Sequence, residues 1–332
     1  MKKFVLIGLM LTSLFIFSCQ EKPLMVIDLM PIEKFSDQNF DFFLSNISSL
    51  EFKNDTYYLS EYEFSRVLLL NKDYSLQLLL DDRNGDLGIS YPTYALPLSN
   101  KIAVYSSGKQ KIDLFTQEGE LIDSLSITVT SELLNFAPID DKLVYSILPE
   151  DLKGQFEIHS LFGKGVRNFG ELTKVQNNNF QKIYNSKSYI FPYQDKFITL
   201  APTTGELSIY NSIGDAIHNS NLLDLLGLGT VKEEVENFYK SKGSSTMDIA
   251  SDCKIFGNRI YVLMYDRRPE AKPNPREVVV LKINENNKIE YEKTYILGNP
   301  ESYYSKICLT SSEQLAAFEL VTSDIHIFNL VE

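Results

Sequence analysis

Hydrophobic positions come in short alternating bursts, and the clearest burst pattern lies between residues 93 and 127. YALPL (94–98), IAVY (102–105), KIDLF (111–115) and ELIDSLSI (120–127) are separated by the polar turns SNK, SSGKQ and TQEG. Four alternating segments joined by hairpin-type turns predict one antiparallel four-stranded sheet. The layout returns five more times, so the chain reads as a repeat protein.

The register of the repeat is set by the turn into each second strand. The pieces are Asp55-TYYLS, Asn100-KIAVY, Asp141-KLVYS, Asp195-KFITL, Asn258-RIYVL and Glu313-QLAAF. Asp and Asn accept backbone hydrogen bonds in tight turns and tolerate left-handed geometry. Second strands then begin at residues 56, 101, 142, 196, 259 and 314, with spacings of 45, 41, 54, 63 and 55. A second landmark follows each: RVLLL (66–70), KIDLF (111–115), EIHSL (157–161), ELSIY (206–210), EVVVL (277–281) and DIHIF (324–328). Four strands in roughly 40–50 residues is the arithmetic of a propeller blade. The predicted fold is all-β, a six-bladed β-propeller, with blades at 47–80, 91–127, 132–170, 188–219, 247–297 and 303–330.

The sixth repeat supplies only three strands, and residues 25–29 form a spare strand-like piece before the first blade. An open blade exposes unpaired backbone groups. Residues 25–29 are therefore expected to add the outermost strand of the last blade; an extended linker is the alternative. The largest insertion, residues 221–245, contains Thr230-Val231-Lys232-Glu233, which has the form of a capping box. Val231, Val235, Phe238 and Tyr239 share one helical face and Gly243 supplies a stop. One short amphipathic helix between blades four and five is expected, packed on the propeller or offered to a partner.

Residues 1–18 stand apart. Lys2 and Lys3 precede a mostly apolar run from residue 4 to 17, too short for the roughly 20 residues of a spanning helix. This reads as a signal peptide. It ends Ile16-Phe17-Ser18-Cys19, which resembles a bacterial lipoprotein processing box, although Phe17 departs from the usual residue there. The resemblance implies cleavage before Cys19 and lipid attachment to it; an ordinary secretory signal is the alternative. Removing residues 1–18 takes two lysines, leaving 30 Lys+Arg against 44 Asp+Glu. That acidity excludes nucleic acid and anionic lipid as partners, so the expected membrane contact is the lipid alone. The absence of Trp excludes a Trp-Asp repeat.

Candidate chemistry is sparse. His159, His218 and His326 fall in different blades, and HExxH, CxxC, GxSxG and phosphate-loop motifs are missing. Asp82-Arg83-Asn84-Gly85-Asp86 resembles the start of a calcium loop, but Leu87 stands where glycine belongs and Thr93 where glutamate should close it. No cofactor is expected beyond this weak calcium candidate. Cys253 and Cys308 occupy equivalent first-strand positions of neighbouring blades, and two separate buried thiols are favoured over a disulfide. Loops joining second to third strands, and blade to blade, leave a propeller on one face. Segments 81–90, 149–154, 221–245 and 266–276 all belong to that class. Binding residues concentrate on loops held by a rigid scaffold. Asp82, Arg83, Asp86, Arg267 and Arg268 are therefore the candidate binding residues, with tolerated insertion as the bland alternative.

The run from Tyr57 through Leu125 is similar to NHL-like and TolB-like six-bladed propeller lipoproteins of Gram-negative bacteria, although the glycine pattern of the inter-blade loop is reduced to Gly85 and Gly88. The resemblance implies a cell-envelope, outer-membrane placement. Two functions follow as expectations. One is a lipid-anchored binding or scaffolding module for a protein or glycan. The other is a metal-dependent sugar or lactone hydrolase or lyase at the channel mouth, for which Glu51, Asp248 and Asp252 are the first-strand carboxylates.

Overall fold

The computed structural model describes residues 25–36, 43–81, 89–127, 133–139, 142–146, 154–160, 166–170, 187–240, 247–265 and 274–330. They form six sheets around one axis. Blade one is β3 (Ile47–Lys53), β4 (Thr56–Glu61), β5 (Arg66–Asn71) and β6 (Leu76–Asp81). Blade two is β7 (Pro92–Leu98), β8 (Lys101–Ser106), β9 (Lys111–Phe115) and β10 (Leu121–Ser126). Blade three is β11 (Phe136–Ile139), β12 (Lys142–Ser146), β13 (Phe156–Ser160) and β14 (Val166–Phe169). Blade four is β15 (Tyr189–Tyr193), β16 (Lys196–Leu200), β17 (Glu206–Asn211) and β18 (Ala216–Asn221). Blade five holds β19 (Ala250–Phe256), β20 (Arg259–Tyr265), β21 (Pro275–Ile283) and β22 (Ile289–Leu297). Blade six holds β23 (Tyr304–Ser311), β24 (Gln314–Glu319) and β25 (Asp324–Asn329). The six second strands begin at the residues that the turn pattern marks, Thr56, Lys101, Lys142, Lys196, Arg259 and Gln314.

The left-handed residue of the turn is mostly one place earlier than expected. Ser99, Gln194 and Gly257 carry the positive φ, ahead of Asn100, Asp195 and Asn258, and in blade one both Asn54 and Asp55 turn left-handed.

Ring closure also differs from the expectation. Residues 25–29 do not complete the last blade. Within them β1 (Val26–Leu29) runs parallel to β22 and becomes a fifth, outermost strand of blade five. Blade six is completed by β2 (Glu33–Phe35), antiparallel to β25. The amide of Ile32 donates to the carbonyl of Ile327 at 2.8 Å, and the amides of Thr294 and Gly298 donate to the carbonyls of Met25 and Leu29, each at 2.8 Å. One amino-terminal segment thus covers two adjacent blade edges. A single strand would have left the other edge bare.

The inner and middle strands are buried on both faces, which is why runs such as RVLLL read as nearly continuous apolar stretches, while outermost strands such as β10 and β18 are largely exposed. Side chains alternate between two junctions. Leu68 and Leu70 pack against Phe318 and Ile325 of blade six, while Val67 and Leu69 pack against Ala95 and Val104 of blade two. Each of the six blade junctions has such a core. At about 1.5–3 kcal/mol per fully buried aliphatic or aromatic side chain, these junctions dominate the stability.

The insertion holds two helical pieces, α1 (Leu222–Leu225) and α2 (Gly229–Lys240). Asn221 caps α1 by accepting from the Leu223 amide at 2.9 Å. Thr230 lies inside α2, so it is not the cap that the sequence suggests. The predicted face is correct: Val235 and Tyr239 are buried, and Val231 and Phe238 pack on the same core between blades four and five. Gly243 lies outside the described residues.

Phe35 stacks on Tyr74 with ring centroids 3.4 Å apart. Phe35→Ala is expected to lower the stability by about 2–3 kcal/mol in urea denaturation; a loss below about 0.5 kcal/mol, the size of an ordinary surface change, would show that β2 does not hold the ring shut. A second expectation concerns His326, buried opposite Lys34 in the β2–β25 pair. Burial, and then the Lys34 ammonium, hold its pKa below the ordinary value. The unfolded chain therefore takes the proton first, and this contribution to stability falls as pH drops below about 6.5 until the folded pKa is passed. The urea midpoint of the wild type is expected to fall more between pH 7.5 and 5.5 than that of His326→Gln.

Candidate functional site

The innermost strands of all six blades line the axis, and their polar side chains reach across blade junctions. Ser48 donates to the carbonyl of Pro92 at 2.8 Å, Thr93 to that of Leu133 at 3.3 Å, and Ser251 to that of Ser305 at 3.3 Å. Each donor stands eight residues before its blade's second strand, and each acceptor nine before the next. Asn135 makes paired bonds with the backbone of Ile190, both at 2.8 Å, and the Tyr189 hydroxyl donates to the carbonyl of Ser251 at 2.8 Å. Five junctions are bridged in this way. The sixth, between blades six and one, is packed by Cys308, Ala316 and Phe318 against Leu50, Leu59 and Leu68.

Charge concentrates at the centre. Lys254 of β19 donates to Glu51 of β3 at 2.6 Å, from blade five to blade one, and stands 3.5 Å from Asp252. Asp252 accepts from the Ile307 amide at 2.8 Å. The Glu51–Lys254 pair and the Asp252–Ile307 bond therefore join blades one, five and six at the axis. The Tyr94 hydroxyl of blade two lies among Glu51, Asp252 and Asn135, and burial raises its pKa well above the ordinary value. Burial raises the pKa of Glu51, and the neighbouring Lys254 ammonium only partly opposes this. Burial works to lower Lys254, but the Asp252 and Glu51 carboxylates outweigh it and keep the ammonium above its ordinary pKa. Toward the loop-rich end, burial depresses the Lys306 ammonium and raises the Asp248 carboxyl, which has Lys187 and Lys306 as its cationic neighbours.

The pattern that the sequence analysis passed over is legible in hindsight. Glu51 and Lys254 stand at the same repeat position, five residues before the second strand, where the other blades carry Leu96, Ala137, Phe191 and Leu309. Opposite charges at one apolar position of the repeat are the signal. Glu51, Asp248 and Asp252 do gather near the axis, but around lysines. Among the described residues no group of three His, Cys, Asp or Glu side chains comes together that could hold a metal ion.

The two ends of the axis differ. At the end carrying the short turns between the first and second strands of each blade, a cavity of about 400 Å³ is lined by Glu51, Phe52, Asn54, Lys254, Phe256 and Thr310, among others. The loop-rich end carries four exposed aromatic side chains. Phe43 precedes β3, Tyr62 and Phe64 lie between β4 and β5, and Tyr91 precedes β7. The Tyr62 and Tyr91 rings are 4.9 Å apart, and the Arg66 guanidinium lies 4.9 Å from the Phe64 ring centre. Arg66 is fixed by Glu61 and by the carbonyl of Phe43 at 2.6 Å. Glu61 in turn accepts from the Ser45 amide at 2.6 Å, as Glu319 does from Tyr303 at the same repeat position, at 2.9 Å.

Of the residues predicted from sequence, Cys19, Asp82, Arg83, Asp86, Arg267 and Arg268 lie outside the described residues, as does the calcium-like loop from residue 82. His159, His218 and His326 sit on β13, β18 and β25 in three blades. Cys253 and Cys308 are separate, buried and unbridged, in the cores between blades four and five and between six and one.

No family model matches the chain. No curated protein matches it either. Solved structures do. A streptogramin B lyase is 12% identical with a TM-score of 0.51, the match covering 90% of this chain and 97% of that one. A Bacteroides vulgatus member of the DUF4221 family is 11% identical with a TM-score of 0.52, covering 91% and 97%. A Bacteroides fragilis protein named as exported is 10% identical with a TM-score of 0.54, covering 92% and 99%. At such identities the likeness carries the fold: the chain is a six-bladed β-propeller whose structural neighbours include a Bacteroides protein named as exported.

Removing one partner of the central pair leaves a charge buried alone. Lys254→Met is expected to cost about 3–5 kcal/mol in chemical denaturation, and the double variant Glu51→Gln/Lys254→Met to recover part of it. Additive losses would show that the two groups are not coupled across the axis.

Proposed function

We propose that this chain is a lipid-anchored envelope protein that binds an extracytoplasmic protein or glycan through its loop-rich face, without catalysing a reaction. The observation that carries the reading is the aromatic group of Phe43, Tyr62, Phe64 and Tyr91, exposed at 56%, 37%, 51% and 46% on that face. Aromatic side chains supply much of the energy of recognition surfaces when their neighbours fix them. Here Arg66, held by Glu61, lies against Phe64 and donates to the Phe43 carbonyl, while Tyr62 and Tyr91 pack on each other. Asp82, Arg83, Asp86, Arg267 and Arg268 belong by topology to connections leaving the same face, and would add a charged rim to the apolar centre. The placement rests on the apolar leader, on Cys19 and on the exported neighbour; the resemblance to NHL-like and TolB-like lipoproteins points the same way.

A second reading, a metal-dependent lyase or hydrolase at the channel mouth, draws on the lyase name of one neighbour. Its carboxylates would be Glu51, Asp248 and Asp252. Glu51 already bonds Lys254, and Asp252 already bonds the Ile307 amide. Structural bonding of this kind uses up the groups that a metal would need.

Metabolic palmitate labelling is expected to mark the wild-type chain and not Cys19→Ser. The unlipidated Cys19→Ser chain is then expected to bind isolated outer-membrane fractions, and Tyr62→Ala/Tyr91→Ala to weaken that binding more than about tenfold. Equal binding by both chains, or none by either, removes the loop-rich face as the docking surface. Calorimetric titration with calcium, magnesium, manganese and zinc separates the second reading: submicromolar binding lost in Asp248→Asn would favour the enzyme.

A further inference from the structure

The cavity at the short-turn end of the axis is remote from the aromatic face, and it has a built floor. Its deepest charges are Glu51 and Lys254, joined at 2.6 Å, with side-chain exposures of 19% and 8%. Phe52 and Phe256 give it aromatic surface, and Phe256 is 39% exposed at the end of β19. Asn54 supplies an amide at the rim, where Lys53 and Asp55 form a second balanced set of charges. At about 400 Å³ the cavity is at the small end of the ordinary range of ligand sites, about 300–1,000 Å³.

The chemistry of the floor selects among ligands. The lining charges Glu51, Lys53, Asp55 and Lys254 cancel, and Asp252, 3.5 Å from Lys254, adds a negative charge behind the floor, so the cavity offers no attraction to an anion. An anion would have to take Lys254 from both Glu51 and Asp252, and a cation would have to displace the Lys254 ammonium from Glu51 while lying close to it, which is costly in a buried site. A hydroxyl group faces no such conflict. It can donate to a carboxylate and accept from an ammonium, joining the pair without breaking it. A ring bearing several hydroxyls, with C–H groups to lie against Phe256, satisfies the floor and the wall together.

We propose that this cavity is a binding site for a neutral polyhydroxylated molecule the size of a monosaccharide, held by the Glu51–Lys254 pair against Phe256. The site goes beyond the docking face above and does not depend on it. Its place on the opposite end would let the propeller hold a small sugar while the aromatic face is occupied.

The test is saturation-transfer NMR on the full chain with a panel of probes: glucose, galactose, N-acetylglucosamine, glucuronate, glucosamine and glycine. At least one neutral sugar is expected to receive saturation, with the charged probes weaker. Phe256→Ala, an exposed change that leaves the floor intact, is expected to weaken binding by about threefold to tenfold, the size of an aromatic contact. Glu51→Gln/Lys254→Met is expected to abolish it, and Tyr62→Ala/Tyr91→Ala to leave it unchanged. Absence of saturation for every neutral sugar, preference for a charged probe, or binding indifferent to Phe256→Ala would each overturn the proposal. Loss in the Tyr62/Tyr91 variant would move the sugar to the aromatic face and overturn it as well.

Discussion

The constraint on which the rest depends is that the inner and middle strands of a blade have no solvent face. Val67 and Leu69 serve one junction while Leu68 and Leu70 serve the other, and the same alternation repeats round the ring. A sheet with two apolar faces must find a partner on each, so the array can end only by meeting itself. Closure is therefore a requirement of the sequence pattern rather than an added device. The amino-terminal segment meets it twice, with β1 on blade five and β2 on blade six.

Polar groups at the axis are a consequence of this geometry. Inner strands converge, and their axis-facing edges have no neighbouring strand to satisfy backbone groups. Hydroxyl and amide side chains take over that work from one blade to the next, as Ser48, Thr93 and Ser251 do from one shared repeat position. The central Glu51–Lys254 pair extends the same logic to charge. Buried pairs of this kind add little net stability but penalise any arrangement that separates them. A ring with another number of blades would set these two groups apart.

The same scaffold produces two unlike ends. Short turns at one end leave the convergence of three inner strands open as a small polar cavity. The other end carries the exposed Phe43, Tyr62, Phe64 and Tyr91. Connection residues also enter the junction cores, as Leu44, Ile89 and Leu133 do. The helical insertion adds most, because α2 sends Val235 and Tyr239 into the core between blades four and five.

Local pattern by itself determined the blades. Alternation and turn residues are short-range signals, so the six second strands, their spacing and the amphipathic face of α2 could be read directly from residues such as Asn100 and Tyr239. The same was true of the separation of Cys253 from Cys308, which follows from repeat position. Tertiary structure alone decided whatever depends on residues distant in the chain. It assigned closure to two strands because both blade edges lay within reach of the same segment. It brought Glu51 to Lys254, 203 residues away, because ring geometry places their blades across one axis. It also grouped Tyr62 with Tyr91, since neighbouring loops meet only when the blades that carry them pack.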